Sequence, residues 1–168
     1  MAKGALALVL HAHLPYVRSA EKNSLEEDWY FQALLECYIP LLDTLQKGAS
    51  SNHQEPKLTI SLSPTLLSLF RDNELNSRFQ SWTNVRIDLL RNVPKELQES
   101  AFYLSKKIKT QIAIWGKYKH DLIKQFGNLQ NQGIIDILTC AATHGYLPLL
   151  RENPEAVRGQ LKTAVREH

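Results

Sequence analysis

The sequence has little cysteine, little net charge and no long apolar run, and each absence excludes a class of protein. Two cysteines, Cys37 and Cys140, in 168 residues cannot form a disulfide framework, which favours a reducing compartment. Basic residues exceed acidic ones by only 20 − 17 = 3, too few to indicate nucleic-acid binding. The apolar stretch near the N-terminus is too short to cross a bilayer and lacks a signal-peptide cleavage site. We therefore expect a cytoplasmic, soluble protein that binds neither nucleic acid nor a membrane.

The residues that are present fit one folded domain with a core. The hydrophobic fraction is 43% and the charged fraction is 22%, with both signs of charge along the chain. Three segments read as strands, at residues 5–10, 57–62 and 134–140, with helical patterns between and after them. This alternation predicts parallel, buried strands joined by right-handed crossovers. Three such strands cannot close a barrel, so they indicate the opening of a larger α/β fold.

Capping residues place the first helices. Ser24 and Glu27 form a capping-box pattern, which predicts Ser24 as the N-cap and a Glu27 side chain that reaches back to it. Pro40 lies inside the same helical pattern and predicts a kink or a restart. Ser63 and Pro64 fit an N-cap and a first helical residue directly after the second strand.

The remaining helices are longer. We expect a polar loop at residues 49–57 and a break at 72–76, followed by a helix to about residue 91. Apolar residues recur every three or four positions over 94–126, which predicts one long amphipathic helix, broken near Gly116. Asn153 caps the last helix.

Histidines follow two of the predicted strands. His11 and His13 come at the end of the first strand and His144 after the third, where parallel folds bind ligands. One residue separates His11 from His13, so both side chains face the same way in an extended segment. Such imidazoles can donate hydrogen bonds to sugar hydroxyls or bind a metal. Alternatively, one or two of them, His11 in particular, only tie loops together through backbone hydrogen bonds.

These residues carry a family resemblance. ALVLHAHLPYVR and GIIDILTCAATHGYLPLL are similar to the first and second signature regions of glycoside hydrolase family 57. The segments LEEDWYFQALLECYIPLLDTL, KLTISLSPTLLSLF and NPEAVRGQL resemble the adjoining parts of its α-1,4-glucan branching enzymes. The resemblance covers nearly the whole chain.

The resemblance implies a fold and an activity. The fold is an incomplete (β/α)7 TIM-like barrel, with residues 1–168 supplying its first strands as part of the N-terminal catalytic domain. The substrates are α-glucans such as glycogen, amylose or maltooligosaccharides, in carbohydrate metabolism and glycogen biosynthesis. The mechanism is retaining, with a glutamate nucleophile and an aspartate acid/base whose carboxyls lie about 5 Å apart. No metal or organic cofactor is implied.

Five residues become candidate substrate-binding residues. By resemblance, His13 matches the first-region histidine near a sugar subsite, His11 its companion, and His144 the second-region histidine. Asp136 occupies a place where the second region usually carries glutamate; the alternative is a buried barrel residue paired with a neighbour. Trp29 could stack on a sugar face; the alternative is core packing at a helix start.

The sequence departs from the family in its catalytic carboxylates. The regions that would carry the nucleophile and the acid/base are absent from these residues, and the acidic residues at the first helix start are better explained by the helix dipole. We therefore expect an N-terminal fragment of a branching-type enzyme that is inactive alone, with a complementary C-terminal fragment as a candidate partner. Two alternatives stay open: a non-catalytic carbohydrate-binding or partner-docking module, and, less favoured, a metal-dependent hydrolase built on the histidines.

Overall fold

One parallel sheet organises the chain. The computed structural model describes residues 4, 6–20, 24–49 and 57–168. Its three strands are β1 (Val9–Ala12), β2 (Leu58–Leu62) and β3 (Ile135–Leu138), paired in the order β1-β2-β3. The predicted parallel α/β arrangement is confirmed. The first strand lies further along the chain than predicted, and the loop prediction at 50–56 falls outside the described residues.

Helices make up most of the described residues. They are α1 (Leu25–Ala33), α2 (Ile39–Ala49), α3 (Pro64–Phe70), α4 (Asn73–Leu89), α5 (Gln98–Lys117), α6 (Leu122–Asn131), α7 (Leu147–Leu150) and α8 (Pro154–Glu167). None of them combines the length and the apolar character that a membrane crossing requires.

The predicted N-caps are confirmed, but half of the predicted capping box is wrong. The Oγ atoms of Ser24 and Ser63 accept hydrogen bonds from backbone N–H groups three residues ahead, at 3.2 and 3.3 Å. The Glu27 carboxylate does not bond back to Ser24. It accepts instead from the Ser19 N–H at 3.1 Å and pairs with Arg78, because a charged partner gives the stronger hydrogen bond.

A π-helical turn precedes Pro40. Residues Leu34–Tyr38 separate α1 from α2, and the Ile39 N–H bonds to the Leu34 carbonyl five residues back. Pro40 has no N–H to donate, and the wider turn accommodates that loss without ending the helix. The helix continues through Pro40 by way of this π turn, so the predicted restart does not occur.

The long helical pattern is divided where the glycine predicted a break. Helix α5 ends at Lys117, and α6 begins at Leu122. Between them Lys119 and His120 adopt left-handed φ angles of 53° and 62°. The N-terminal limit differs from the prediction, because residues Lys95–Leu97 form a 3₁₀ turn before α5.

The helices cover one face of the sheet. Ile60, Leu62 and Ile135 point into the core and are at most 2% exposed. On the other face Val9 is 55% exposed and Leu138 is 49% exposed. Because side chains alternate along a strand, every second residue of each strand lies on this open face. The prediction of strands buried on both faces is wrong for the described residues.

Candidate functional site

Three imidazoles meet at the carboxyl end of the sheet. The His11 and His144 Nε2 atoms are 3.0 Å apart. The His144 ring centroid lies 4.6 Å from those of both His11 and His13, and the latter two centroids are 6.3 Å apart. The residues predicted to converge from two strand ends do lie together. We call His11, His13 and His144 the histidine cluster.

The first two members owe their direction to the pleat of β1. His11 lies within the strand and His13 directly follows it, while the buried Ala12 between them faces the helices. The Ser63 N–H bonds to the Ala12 carbonyl at 3.1 Å, which extends the β1–β2 pairing to the level of the cluster. Both imidazoles therefore project from the open face of the sheet.

His144 is held by a tight turn. Its N–H bonds to the Ala141 carbonyl at 2.7 Å, and its φ angle is 57°, a left-handed value that non-glycine residues seldom adopt. The Thr65 hydroxyl of α3 donates to the Ala142 carbonyl at 2.9 Å, which ties this turn to the helix after β2. Backbone strain at a residue of the cluster is consistent with a functional constraint there.

Helix α8 is joined to the same turn by hydrogen bonds. Gln160 accepts from the Thr143 N–H at 3.0 Å and donates to its hydroxyl at 2.9 Å. A Cβ atom at Gly145 would come within 3.3 Å of a Leu150 methyl group, so the chain passes close to α7 there. The sequence alone drew attention to the histidine and not to Gln160, which lies 17 positions away from Thr143.

His13 is the member in the most restricted environment. Its Nδ1 lies 2.8 Å from Ser63 Oγ, which sequence reasoning identified only as a helix cap. Partial burial lowers the pKa of His13 below its usual value, and the nearby His144 and His11 lower it further. The His13 imidazole is therefore neutral near pH 7 and can both donate and accept one hydrogen bond.

An ionic network fixes the segment that follows His13. Arg78 pairs with the fully buried Glu27 and with Glu74, and its guanidinium donates to the Ser19 carbonyl at 3.1 Å. Arg18 pairs with the same Glu74. Hydrogen bonds from Arg78 and Arg18 lower the pKa of the Glu74 carboxyl. This network attaches the segment after β1 to α1 and α4.

Asp136 lies on the open face but not at the cluster. It aligns with Thr59 and Val9 across the sheet, two residues before the row that contains His11. The residue is exposed, and among the described residues its carboxylate makes no hydrogen bond or ion pair. The alternative prediction of a buried, paired aspartate is wrong, because the face that this side chain points to is uncovered.

Trp29 is not brought to the cluster either. It lies in α1, is 50% exposed, and makes no ring contact with the three histidines among the described residues. The core at this helix is filled by its neighbours Tyr30 and Phe31, which are at most 2% exposed. The alternative of core packing for Trp29 is therefore also wrong.

The geometry does not favour a metal centre. The His11 and His144 Nε2 atoms lie within hydrogen-bonding distance of each other at 3.0 Å, so one of them is used as a donor and the other as an acceptor. Across residues 4, 6–20, 24–49 and 57–168, no group of three or more His, Cys, Asp or Glu side chains is arranged to hold a metal ion.

The histidine cluster forms a wall and not a closed pocket. His11 is exposed and His13 is half-buried. A cleft of about 810 Å³ elsewhere in the chain is bordered by α3, α4 and the α5–α6 connection, with Arg71, Asn73 and His120 among its lining residues. None of the three clustered histidines lines that cleft.

The sequence matches a family model over nearly its whole length. The model for glycosyl hydrolase family 57 covers residues 7–166. The chain belongs to glycosyl hydrolase family 57. This family 57 chain is 32% identical over 166 residues to a 1,4-alpha-glucan branching enzyme of Thermococcus kodakarensis, covering 97% of the chain and 24% of that enzyme.

Three solved structures share the fold of this chain. A GH57-type branching enzyme from Pyrococcus horikoshii is 32% identical with a TM-score of 0.89, over 99% of this chain and 32% of that one. The Thermococcus branching enzyme, solved in complex with glucose and additives, is 31% identical with a TM-score of 0.88, over 99% of this chain and 30% of that one. The alpha-amylase AmyC of Thermotoga maritima is 28% identical with a TM-score of 0.83, over 96% of this chain and 32% of that one. The chain thus spans about a quarter to a third of the length of these relatives.

Proposed function

We propose that the chain supplies one wall of an α-glucan-binding cleft in a family 57 enzyme of the 1,4-alpha-glucan branching type. The contact among His11, His13 and His144 carries the proposal, because it places three planar polar side chains on one exposed surface. The relatives support the substrate class, since the Thermococcus enzyme is named a 1,4-alpha-glucan branching enzyme and was solved with glucose, and the Pyrococcus enzyme is named a branching enzyme.

The chemistry of the cluster suits a sugar. Neutral imidazoles offer one N–H donor and one acceptor each, which matches the paired donor and acceptor character of a hydroxyl group. The lowered pKa of His13 keeps it in that neutral form. Asp136 and Trp29 stay proposed contacts to more distant parts of a longer glucan, since both side chains are accessible and neither touches the cluster.

We infer that the sheet is the start of the incomplete (β/α)7 barrel. Three parallel strands lie in sequential order, and helices cover only one of their faces. A barrel needs this arrangement, because its inner face is lined by the residues that here remain open. Among the described residues β1 and β3 are the edge strands of the sheet, and a complementary C-terminal fragment would pair with these edges.

We propose that these 168 residues alone catalyse no transfer. A retaining mechanism needs two carboxyls about 5 Å apart beside the bound sugar. Asp136, on the open face, is two residues from the row of His11, and the Glu27 and Glu74 carboxylates are engaged in ion pairs with Arg78. Incubation of the chain with amylose should produce no new α-1,6 branches, and their appearance would refute this part of the proposal.

Binding is the direct test of the proposal. Titration of the chain with maltoheptaose, followed by NMR, should shift resonances of the histidine cluster, whereas a β-linked cello-oligosaccharide should shift them less. His13→Ala and His144→Ala should each weaken maltoheptaose binding. His120→Asn is the matched control, because the His120 ring contacts Trp115 away from the cluster and asparagine tolerates its left-handed φ. Equal affinity in all three variants would exclude the cluster as the binding surface.

The thiols bear on location. Cys37 and Cys140 are both free, and Cys37 is exposed. An exposed thiol persists most readily in a reducing compartment, and we propose a cytoplasmic location on that ground.

A further inference from the structure

Ser63 joins a helix cap to the histidine cluster. Its side chain is fully buried, with Oγ 3.3 Å from the Leu66 N–H and 2.8 Å from His13 Nδ1. The first contact can have only one direction, because the amide donates and the oxygen accepts. The second contact depends on where the proton of His13 resides.

Counting donors and acceptors distinguishes the two possibilities. A serine hydroxyl has one proton to donate and two lone pairs that accept. If the Ser63 hydroxyl donates to His13 Nδ1 while Oγ accepts from Leu66, the hydroxyl proton serves one recorded contact and a lone pair of the oxygen serves the other. If Nδ1–H donated instead, Oγ would accept twice and its proton would need another acceptor. The structure records none among the described residues, and a buried unpaired hydroxyl proton is unfavourable.

We propose that Ser63 is a positioning residue that holds His13 as the neutral tautomer protonated on Nε2. Nε2 lies across the ring from Ser63 and makes no recorded hydrogen bond among the described residues. His13 therefore presents an N–H donor at the open face. The ligand atom that it selects is an acceptor, such as a hydroxyl, ring or glycosidic oxygen of a sugar. This consequence for the ligand rests on the proposed glucan-binding function, whereas the tautomer itself does not.

The surroundings of His13 agree with a neutral ring. A proton added at Nδ1 would face the Ser63 hydroxyl proton and force the hydroxyl to turn away from its acceptor. His144 and His11 oppose a positive charge from the other side, and both contribute to the lowered pKa of His13. Thus the serine and the two imidazoles act in the same direction.

Reversing the hydrogen-bonding character of residue 63 tests the inference. Two-bond ¹H–¹⁵N correlation spectra of the 168-residue chain report which ring nitrogen of His13 carries the proton. The wild type should show an unprotonated Nδ1 and a protonated Nε2, and Ser63→Thr should show the same. Ser63→Asp retains a good N-cap, but its carboxylate can only accept, so His13 Nδ1 should become protonated. A role of Ser63 in capping alone predicts that Ser63→Asp leaves the His13 tautomer unchanged, which would overturn the proposal.

A second variant covers the case in which Ser63→Asp does not fold. Ser63→Ala removes the donor to Nδ1, so the pKa of His13 should rise relative to the wild type in an NMR titration. An unchanged His13 pKa in Ser63→Ala, or a wild-type ring protonated on Nδ1, contradicts the positioning role.

Sugar titration separates this inference from the proposed function. If both hold, Ser63→Asp should bind maltoheptaose about tenfold more weakly than Ser63→Thr, because one donated hydrogen bond is lost. If the tautomer reverses as expected but no cluster variant alters maltoheptaose binding, the glucan-binding function fails and the assignment of Ser63 stands. If the chain binds maltoheptaose and His13 carries its proton on Nδ1, the assignment of Ser63 fails alone.

Discussion

The Nε2 atoms of His11 and His144 share a hydrogen bond of 3.0 Å between residues 133 positions apart. One ring must donate and the other must accept, so the two imidazoles hold complementary tautomers. When both rings are doubly protonated, each Nε2 is a donor and the contact becomes repulsive. The contact therefore requires that one of the two Nε2 atoms stay unprotonated. In His13, the third member of the cluster, partial burial lowers the pKa first, and the neighbouring His144 and His11 lower it further.

Stability should increase with pH because of His13. Its folded-state pKa lies below the ordinary value of 6.5, so below pH 6.5 the unfolded chain takes up a proton that the folded chain does not. The unfolded state then binds more protons, and the free energy of unfolding falls as pH drops through the folded pKa. We expect the melting temperature of His13→Gln to depend less on pH than that of the wild type between about pH 7.5 and pH 5.5.

His120→Asn provides the comparison for this experiment. It removes one imidazole outside the cluster and should leave the pH slope of the melting temperature close to that of the wild type. Identical slopes in His13→Gln and the wild type would show that the environment of His13 does not contribute to the pH dependence.

Gln160 should control the turn that carries His144. Gln160→Ala removes both hydrogen bonds to Thr143, and we expect a loss of about 1–2 kcal/mol in the free energy of unfolding. The His144 resonances should shift as the turn loosens, and maltoheptaose binding should weaken. Urea denaturation and NMR measure these effects. Gln130→Ala, an exposed position on α6, should change neither, and an equal effect in both variants would argue against a specific role for Gln160.

Local signals predicted much of this structure, and long-range contacts accounted for most of the rest. Ser24 and Ser63 cap helices through bonds that span three residues, so short segments of sequence were enough to identify them. The meeting of His13 with His144 followed from parallel strand topology. The partner of Glu27 did not, because Arg78 lies 51 positions away and no local pattern links the two. The exposure of Asp136 depends on which face of the sheet other elements cover. The sequence of its own strand does not determine that.

The buried ion pair at Glu27 should matter more than an exposed one. Glu27→Gln leaves Arg78 with a neutral partner inside the protein, and we expect the melting temperature to fall by roughly 5 °C. Glu155→Gln is the matched control, since Glu155 also pairs with an arginine but its side chain is 77% exposed. That substitution should shift the melting temperature by about 1 °C or less. Equal shifts in the two variants, measured by calorimetry, would contradict the importance of burial.

Gly133 should tolerate alanine poorly, whereas Gly127 should gain from it. Gly133 has a φ of 72° and closes α6 by donating to the Gln130 carbonyl at 2.9 Å, immediately before β3. Its surroundings are open, so the cost of Gly133→Ala is the left-handed backbone itself, about 1 kcal/mol. Gly127 lies inside α6, also with open space at its Cβ position.

Gly127→Ala should therefore stabilise the chain by about 0.5–1 kcal/mol through helix propensity, and urea denaturation of the two variants should move in opposite directions. Because Gly133 leads directly into β3, its alanine variant should also displace the His144 resonances, whereas Gly127→Ala should leave them in place. If Gly133→Ala unfolds at the same urea concentration as the wild type, the left-handed conformation at residue 133 is not needed to join α6 to β3, the strand that precedes the turn of His144.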